Sequence, residues 1–281
     1  MSICVKNSVK SGLGFFDQRS TIWRVTREMI LLAAGGRALL MQLAHPKVAA
    51  GVDQYSHFQK DPFARLYRTM SVMWSIVFDE EPQARAALKG IEKVHARVRG
   101  EVDSNEESFA CAPYDANEQD LLLWVHATLV DSAIVGYGHF VAPMTMAEKK
   151  AYYDDSKTLA GLFGIDEKLL PTTLDDFEAY MQRMIGGCEI VVGPTARKLG
   201  REVLYARPWL FKLIGPIFRF VTAGLLPDKL RDGYGLKWNE RREGILAGFS
   251  RMIRALVPLT PGLIRVVPNA RAAERKRPES R

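Results

Sequence analysis

Arg65 and Thr69 stand four residues apart, so on a helix they share one face, with Arg68 about 100° round from Thr69. A guanidinium and a hydroxyl then project together. The same region holds two of the chain's five histidines, His45 and His57, and two helix-breaking prolines, Pro46 and Pro62. Imidazole is the commonest protein ligand for metals and a frequent acid or base, so each histidine is weighed by its neighbours. His95 lies four residues after Ile91 and beside Val94 and Val98, on or next to an apolar stripe. A neutral imidazole there, with one nitrogen free, suits the proximal side of a five-coordinate haem. A core histidine satisfied by a backbone carbonyl suits the position as well. His126 sits with Thr128, Asp131 and Ser132 inside the segment Gln119 to Val135, which is apolar nearly all round. Such a helix belongs in the middle of a bundle, and its polar groups need partners there.

The elements that carry these residues read as helices. The run after Arg37 must stop near Ala44, because the residue before a proline is pushed out of the α region; His45 therefore marks a helix end or kink. Asp61 is placed to cap a helix that begins at Pro62 and ends before Asp79-Glu80-Glu81. Pro82 opens the next helix, expected to stop at Gly100. Ser20 caps an earlier one with Ile22, Val25, Met29 and Leu32 as its stripe, and Gly35-Gly36 suggests close packing of small residues. Thr145 and Glu148 have capping-box form. Further helices are expected over Leu174 to Ile190, Ala196 to Tyr205 and Arg241 to Leu256. No strand pattern stands out. The prediction is an all-α protein: an N-terminal arm over 1–19, a single multi-helix domain over 20–265 with a globin-like helical core, and a basic flexible tail over 266–281.

Composition bounds the function. The chain has 281 residues, 47% hydrophobic and 25% charged, as expected of a globular protein with a large core. Its net charge is +7, but Asn269 to Arg281 holds five Lys/Arg against two Asp/Glu, so +3 resides in that tail. Without a base-reading motif this argues for no nucleic-acid partner. Cys4, Cys111 and Cys188 are far apart and form no CxxC, which argues against zinc or a disulfide framework and for a reducing, cytoplasmic setting. Residues 1–20 lack the apolar core of a signal peptide. Trp209 to Leu226 is the most hydrophobic stretch, yet Lys212, Arg219 and Gly215-Pro216 interrupt it. It reads as a buried hairpin first, then as a substrate entrance, then as a peripheral membrane contact.

Taken in order, Arg27-Glu28, Gly35-Gly36-Arg37, Ala44-His45-Pro46, Asp61-Pro62, Arg65 and Thr69 resemble a known pattern. The likeness continues through Val94-His95, Arg97, Arg99-Gly100, Leu123-Trp124, His126, Thr128, Asp131-Ser132, Pro143, Thr145, Gly164, Gly224 and Pro227. The chain resembles, over roughly Ser20 to Gly235, the catalytic domain shared by bacterial rubber oxygenases (latex clearing proteins) and fungal MpaB-type oxygenases, formerly a domain of unknown function. The resemblance implies a haem b oxygenase, with iron on His95 and dioxygen on the open face. By the same resemblance Arg65 pairs with a propionate or polarises bound oxygen, and Thr69 donates a hydrogen bond to it. Arg68 stands where rubber oxygenases carry a lysine that can cap the iron, and an arginine cannot readily do so. His126 and Asp131 are expected around the cofactor, His45 beside it, and His126 is the alternative ligand. No glutamate matches the base proposed for rubber cleavage; Asp53 or Asp61 is the nearest substitute. The expected substrate is a hydrophobic unsaturated small molecule, a lipid or isoprenoid. A non-catalytic helical module that binds a lipid or haem is the alternative. Paired Glu-x-x-His motifs for a di-iron site are missing, Glu92/His95 being only half of one, and no Gly-x-Ser-x-Gly elbow supports a hydrolase.

Overall fold

The computed structural model describes residues 14–55, 62–106, 109–205 and 211–276, without the side chains of 62–66, 68 and 211–213. In chain order the helices are α1 (Thr21–Thr26), α2 (Gly35–Leu43), α3 (Pro46–Tyr55), α4 (Pro62–Phe78) and α5 (Glu81–His95). Two three-residue strands follow, β1 (Arg99–Glu101) and β2 (Pro113–Asp115), paired antiparallel with Gly100 opposite Tyr114. Then come α6 (Gln119–Phe140), α7 (Met146–Leu162), α8 (Leu174–Gly186), α9 (Pro194–Leu204), α10 (Phe211–Leu225) and α11 (Asp228–Gly233). The chain ends in α12 (Glu240–Leu256), α13 (Gly262–Arg265) and α14 (Pro268–Lys276). The fold is all-α, as its sequence predicts.

Helix α6 is the centre. It touches α2, α7, α12 and the 3₁₀ segment Met29–Ala34, and it buries Trp124, Ala127, Val130, Tyr137 and Phe140 on several sides. By length and composition it is the one described helix able to cross a membrane, yet over half of its apolar span is covered by the rest of the protein. Small residues let neighbours approach. A Cβ on Gly136 would lie 2.7 Å from Ala34 Cβ, and one on Gly36 only 2.2 Å from Thr222 Oγ1 of α10. The glycine pair Gly35-Gly36 is thus a helix-packing device.

The polar groups of α6 find one main partner, the buried guanidinium of Arg37 on α2. Its Nη2 donates to Asp131 Oδ2 at 2.5 Å, Nη1 to Ser132 Oγ at 2.8 Å, and Nε to the Leu225 carbonyl at 2.7 Å. One side chain therefore joins α2, α6 and the C-terminus of α10. Arg231 closes the same end: it donates to the carbonyls of Ala223 and Leu226, which the end of a helix leaves without intrahelical partners.

Several local expectations change. The stripe after Ser20 is split: α1 ends at Thr26 and Met29–Ala34 is 3₁₀, because Glu28 pairs with Val266 in an isolated β-bridge. Ser20 caps α1 through Trp23 N–H, and Thr145–Glu148 forms the full capping box of α7. Helix α10 runs unbroken through Pro216 instead of forming a hairpin. Of the segment assigned to the tail, Pro268–Lys276 is helix α14; it packs on α4 with Ala270 and Ala273 buried, and Glu274 accepts from Trp23 Nε1 and Arg27. Its alanines, spaced three apart, form an apolar edge too small to read from sequence.

Removing the Arg37 charge leaves Asp131 and Ser132 without their partner in the core. Arg37→Met is expected to lower unfolding free energy by roughly 3 kcal/mol, measured by urea denaturation, while Arg37→Met with Asp131→Leu recovers much of the loss.

Candidate functional site

Helices α4 and α5 pack together and are joined only by Asp79-Glu80, which makes them an antiparallel hairpin. At a rise of about 1.5 Å per residue, Arg65 lies roughly 20 Å and His95 roughly 21 Å from the connecting turn. The backbone therefore brings Arg65 and His95 level at the open end, with Thr69 one turn inward. Thr69 is exposed. The side chains of Arg65 and Arg68 lie outside the described residues, as do His57 and Asp61.

His95 is the last residue of α5. The inward face of that helix is Ala84, Ala87, Leu88, Ile91 and His95, spaced at helical intervals, and His95 is half-buried on it. Val94 is off that face and 60% exposed, so it is not part of the stripe. The helix stops here, five residues before Gly100, because the chain turns at Ala96 to Val98 into β1. Gly100 serves the hairpin instead of a helix end: a Cβ there would lie 2.8 Å from Gln54 Oε1 and 3.0 Å from the Tyr114 hydroxyl. No hydrogen bond reaches the His95 ring among the described residues. Burial lowers its pKa, with Asp115 opposing, so the ring is neutral at pH 7.

His45 closes the corner between α2 and α3, as its place before Pro46 predicts. Its Nδ1 accepts the Lys47 N–H at 3.2 Å, which puts the ring proton on Nε2 and makes the imidazole a cap for α3. The ring leans on Phe109, which packs on the small cluster of Ala50, Val102 and Tyr114. Val98 packs on that cluster too, and its N–H donates to the His95 carbonyl. His45 and His95 thus flank the β1–β2 hairpin from two sides. An open groove of about 530 Å³ runs over that hairpin, lined by Lys47, Arg99, Glu101, Tyr114, Asp115 and Glu118 among others; charged side chains border it, while most of its wall area is apolar.

His126 stands apart, on α6. It is buried, its Nε2 has no hydrogen-bond partner among the described residues, and burial pushes its pKa down to about 4. Thr128 is satisfied by the Val125 carbonyl at 2.7 Å, and Asp131 is taken by Arg37. Trp124 Nε1, two residues earlier on the same helix, is likewise buried without a partner among the described residues, so α6 carries two such nitrogens in its buried stretch.

The carboxylates suggested by sequence play other parts. Asp53 pairs with Lys198 at 2.8 Å near the surface. The buried carboxylates are Glu28, which grips Arg265 through two bonds of 2.9 Å, and Glu106, which accepts the Thr195 N–H at 2.8 Å at the start of α9. Neither pairing had a sequence signal, since each partner lies far along the chain. No group of three or more His, Cys, Asp or Glu able to hold a metal ion occurs among the described residues.

The chain belongs to the family described as "ER-bound oxygenase mpaB/B'/Rubber oxygenase, catalytic domain", which matches residues 23–255. Similar proteins include uncharacterised chains from Mycobacterium bovis and Mycobacterium tuberculosis. Each is 27% identical over 239 residues, covering 82% of this chain and 90% of the relative. No solved structure matches the chain.

His45 and His126 are both held neutral by burial, each with a pKa lowered to about 4. The unfolded chain binds their protons near pH 6.5, so stability falls as pH drops from about 6.5 to 4, by up to about 3 kcal/mol for each ring. Urea midpoints measured from pH 7 to 4 are expected to fall, and His126→Leu to flatten that slope by the share of one ring.

Proposed function

We propose that this protein is a haem-dependent oxygenase acting on a hydrophobic unsaturated small molecule, a lipid or isoprenoid. Family membership supports oxygenase chemistry, and the observation that carries the haem reading is the donor set. His95 offers a neutral imidazole with no hydrogen bond on its ring, level with Arg65 at the open end of one helical hairpin. A single imidazole with a free nitrogen is what the proximal side of a haem requires. Bound there, the haem supplies dioxygen activation. The chain's own residues do the rest. His95, at the end of α5, would hold the iron. Arg65 and Arg68 would neutralise the propionates, and Thr69 would present a hydroxyl donor toward the open face. Arg68, being permanently charged, would not itself ligate iron.

A second arrangement is favoured by one specific observation, the partnerless Nε2 of buried His126. In it His126 ligates the iron. The two arrangements, and a helical module that binds without turnover, are separated by an absorption spectrum of protein expressed with ample haem supply, alongside His95→Ala and His126→Ala. The expected outcome is a Soret band in the parent, lost or shifted in His95→Ala with haem content down roughly tenfold or more, and kept in His126→Ala. The reverse pattern moves the ligand to His126. No haem in the parent, with helical circular dichroism intact, overturns the oxygenase reading. Arg65→Ala and Thr69→Val are expected to retain haem while slowing dioxygen uptake roughly tenfold or more with an unsaturated lipid or isoprenoid present.

A further inference from the structure

The three most exposed large hydrophobic side chains among the described residues lie within six positions of one another: Leu259 at 79%, Ile264 at 64% and Leu263 at 69%. They follow directly on α12, which has an exposed apolar stripe of its own. Ile245, Met252 and Leu256 are about half exposed and separated by seven and four residues, hence on one helical face. Six solvent-facing aliphatic side chains in twenty residues are more than the scattered apolar groups of an ordinary surface.

The charge around them is of one sign. From Gly244 to Ala273, thirty residues, the sequence has no Asp or Glu but has Arg251, Arg254, Arg265 and Arg271. Arg241 lies on the stripe itself, four residues before Ile245, and Arg251 borders it; both are exposed and neither has an acidic partner among the described residues. The nearest acids are in the first turn of α12: Glu240, exposed and about 100° round the helix from Arg241, and Glu243, which accepts from Trp238 Nε1. Arg254 turns inward to the Gly138 carbonyl. The α12 stripe itself therefore carries aliphatic groups and the guanidinium of Arg241, with Arg251 to one side and no carboxylate among its own residues.

The base beneath this face is firm. Arg265 is held by both oxygens of buried Glu28, and Val267 N–H donates to the Arg27 carbonyl, so the α12–α13 corner is anchored to the N-terminal helices while Leu263 and Ile264 stay outside. Exposure here is a property of an ordered element.

We propose that the α12–α13 corner is a docking surface for an anionic lipid bilayer. Leu256, Leu259, Leu263 and Ile264 enter the acyl boundary, while Arg241 and Arg251 pair with lipid phosphates. A protein partner fits less well, because the face has no tryptophan or tyrosine of the kind that anchors protein interfaces. This surface is distinct from the Trp209 to Leu226 stretch, and the proposal is independent of the haem reading.

The test is flotation of the full chain with vesicles of phosphatidylcholine alone or with about one-third phosphatidylglycerol. Binding is expected on the anionic vesicles, weakened by added salt, and reduced roughly tenfold or more by Leu259→Ser with Leu263→Ser and by Arg241→Glu with Arg251→Glu. These positions are exposed, so circular dichroism and melting should match the parent. Equal flotation of parent and variants overturns the proposal, as does no flotation of the parent. Light scattering distinguishes the chief competitor: a dimer of the parent that the Leu259→Ser, Leu263→Ser variant dissolves, without vesicle binding, assigns the face to a second copy of the chain.

Discussion

A guanidinium in the core is costly unless its donors find partners, and each of the three nitrogens of Arg37 finds one by drawing two distant parts of the chain to α2. Asp131 and Ser132 come from the middle of α6, and the Leu225 carbonyl from the end of α10. Breaking any of these contacts would leave a charge or a carbonyl stranded away from water, so the relative placement of α2, α6 and α10 is fixed more tightly than apolar packing alone would fix it. The close approach of the backbones at Gly36 and Gly136 makes that geometry attainable. Arg231, capping the end of α10, keeps the Leu225 region where Arg37 needs it.

Around this frame the imidazoles have similar charge states and different engagements. His45 spends Nδ1 on the α3 backbone, and His139 Nδ1 lies 3.0 Å from Ser250 Oγ. Among the described residues, His126 has an unengaged Nε2 in the buried centre and His95 sits half-buried with no hydrogen bond on its ring. Burial keeps all four toward the neutral form. What separates a structural histidine from a candidate ligand here is therefore the occupation of its nitrogens, since the direction of the pKa shift is common to all.

The two ends of the described fold are joined. Glu28 and Arg265 form a paired, largely buried contact, and α14 lies on α4 with Asn269 donating to Asp79 and Glu274 accepting from Trp23. The C-terminal segment thus buttresses the turn of the α4–α5 hairpin, the element that carries Arg65, Thr69 and His95. The basic character of that segment is used in part for these pairings, and in part is left on the outward α12–α13 face.

The sequence by itself determined the helical class, most element starts and the family. Helix caps and prolines act over three or four residues, so Ser20, Thr145, Pro62 and the His45-Pro46 corner could be read locally. The all-round apolar pattern of Gln119 to Val135 placed α6 at the centre for the same reason. Tertiary structure decided what depends on distant partners. Arg37 owes its role to residues nearly a hundred positions away, Glu106 to the start of α9, and Glu28 to Arg265. The end of α5 at His95, five residues short of Gly100, was set by the pairing of β1 with β2, two strands too short to show a period. Periodicity reports which face can be buried; only the packed chain decides which polar groups meet there, because desolvation makes their pairing obligatory.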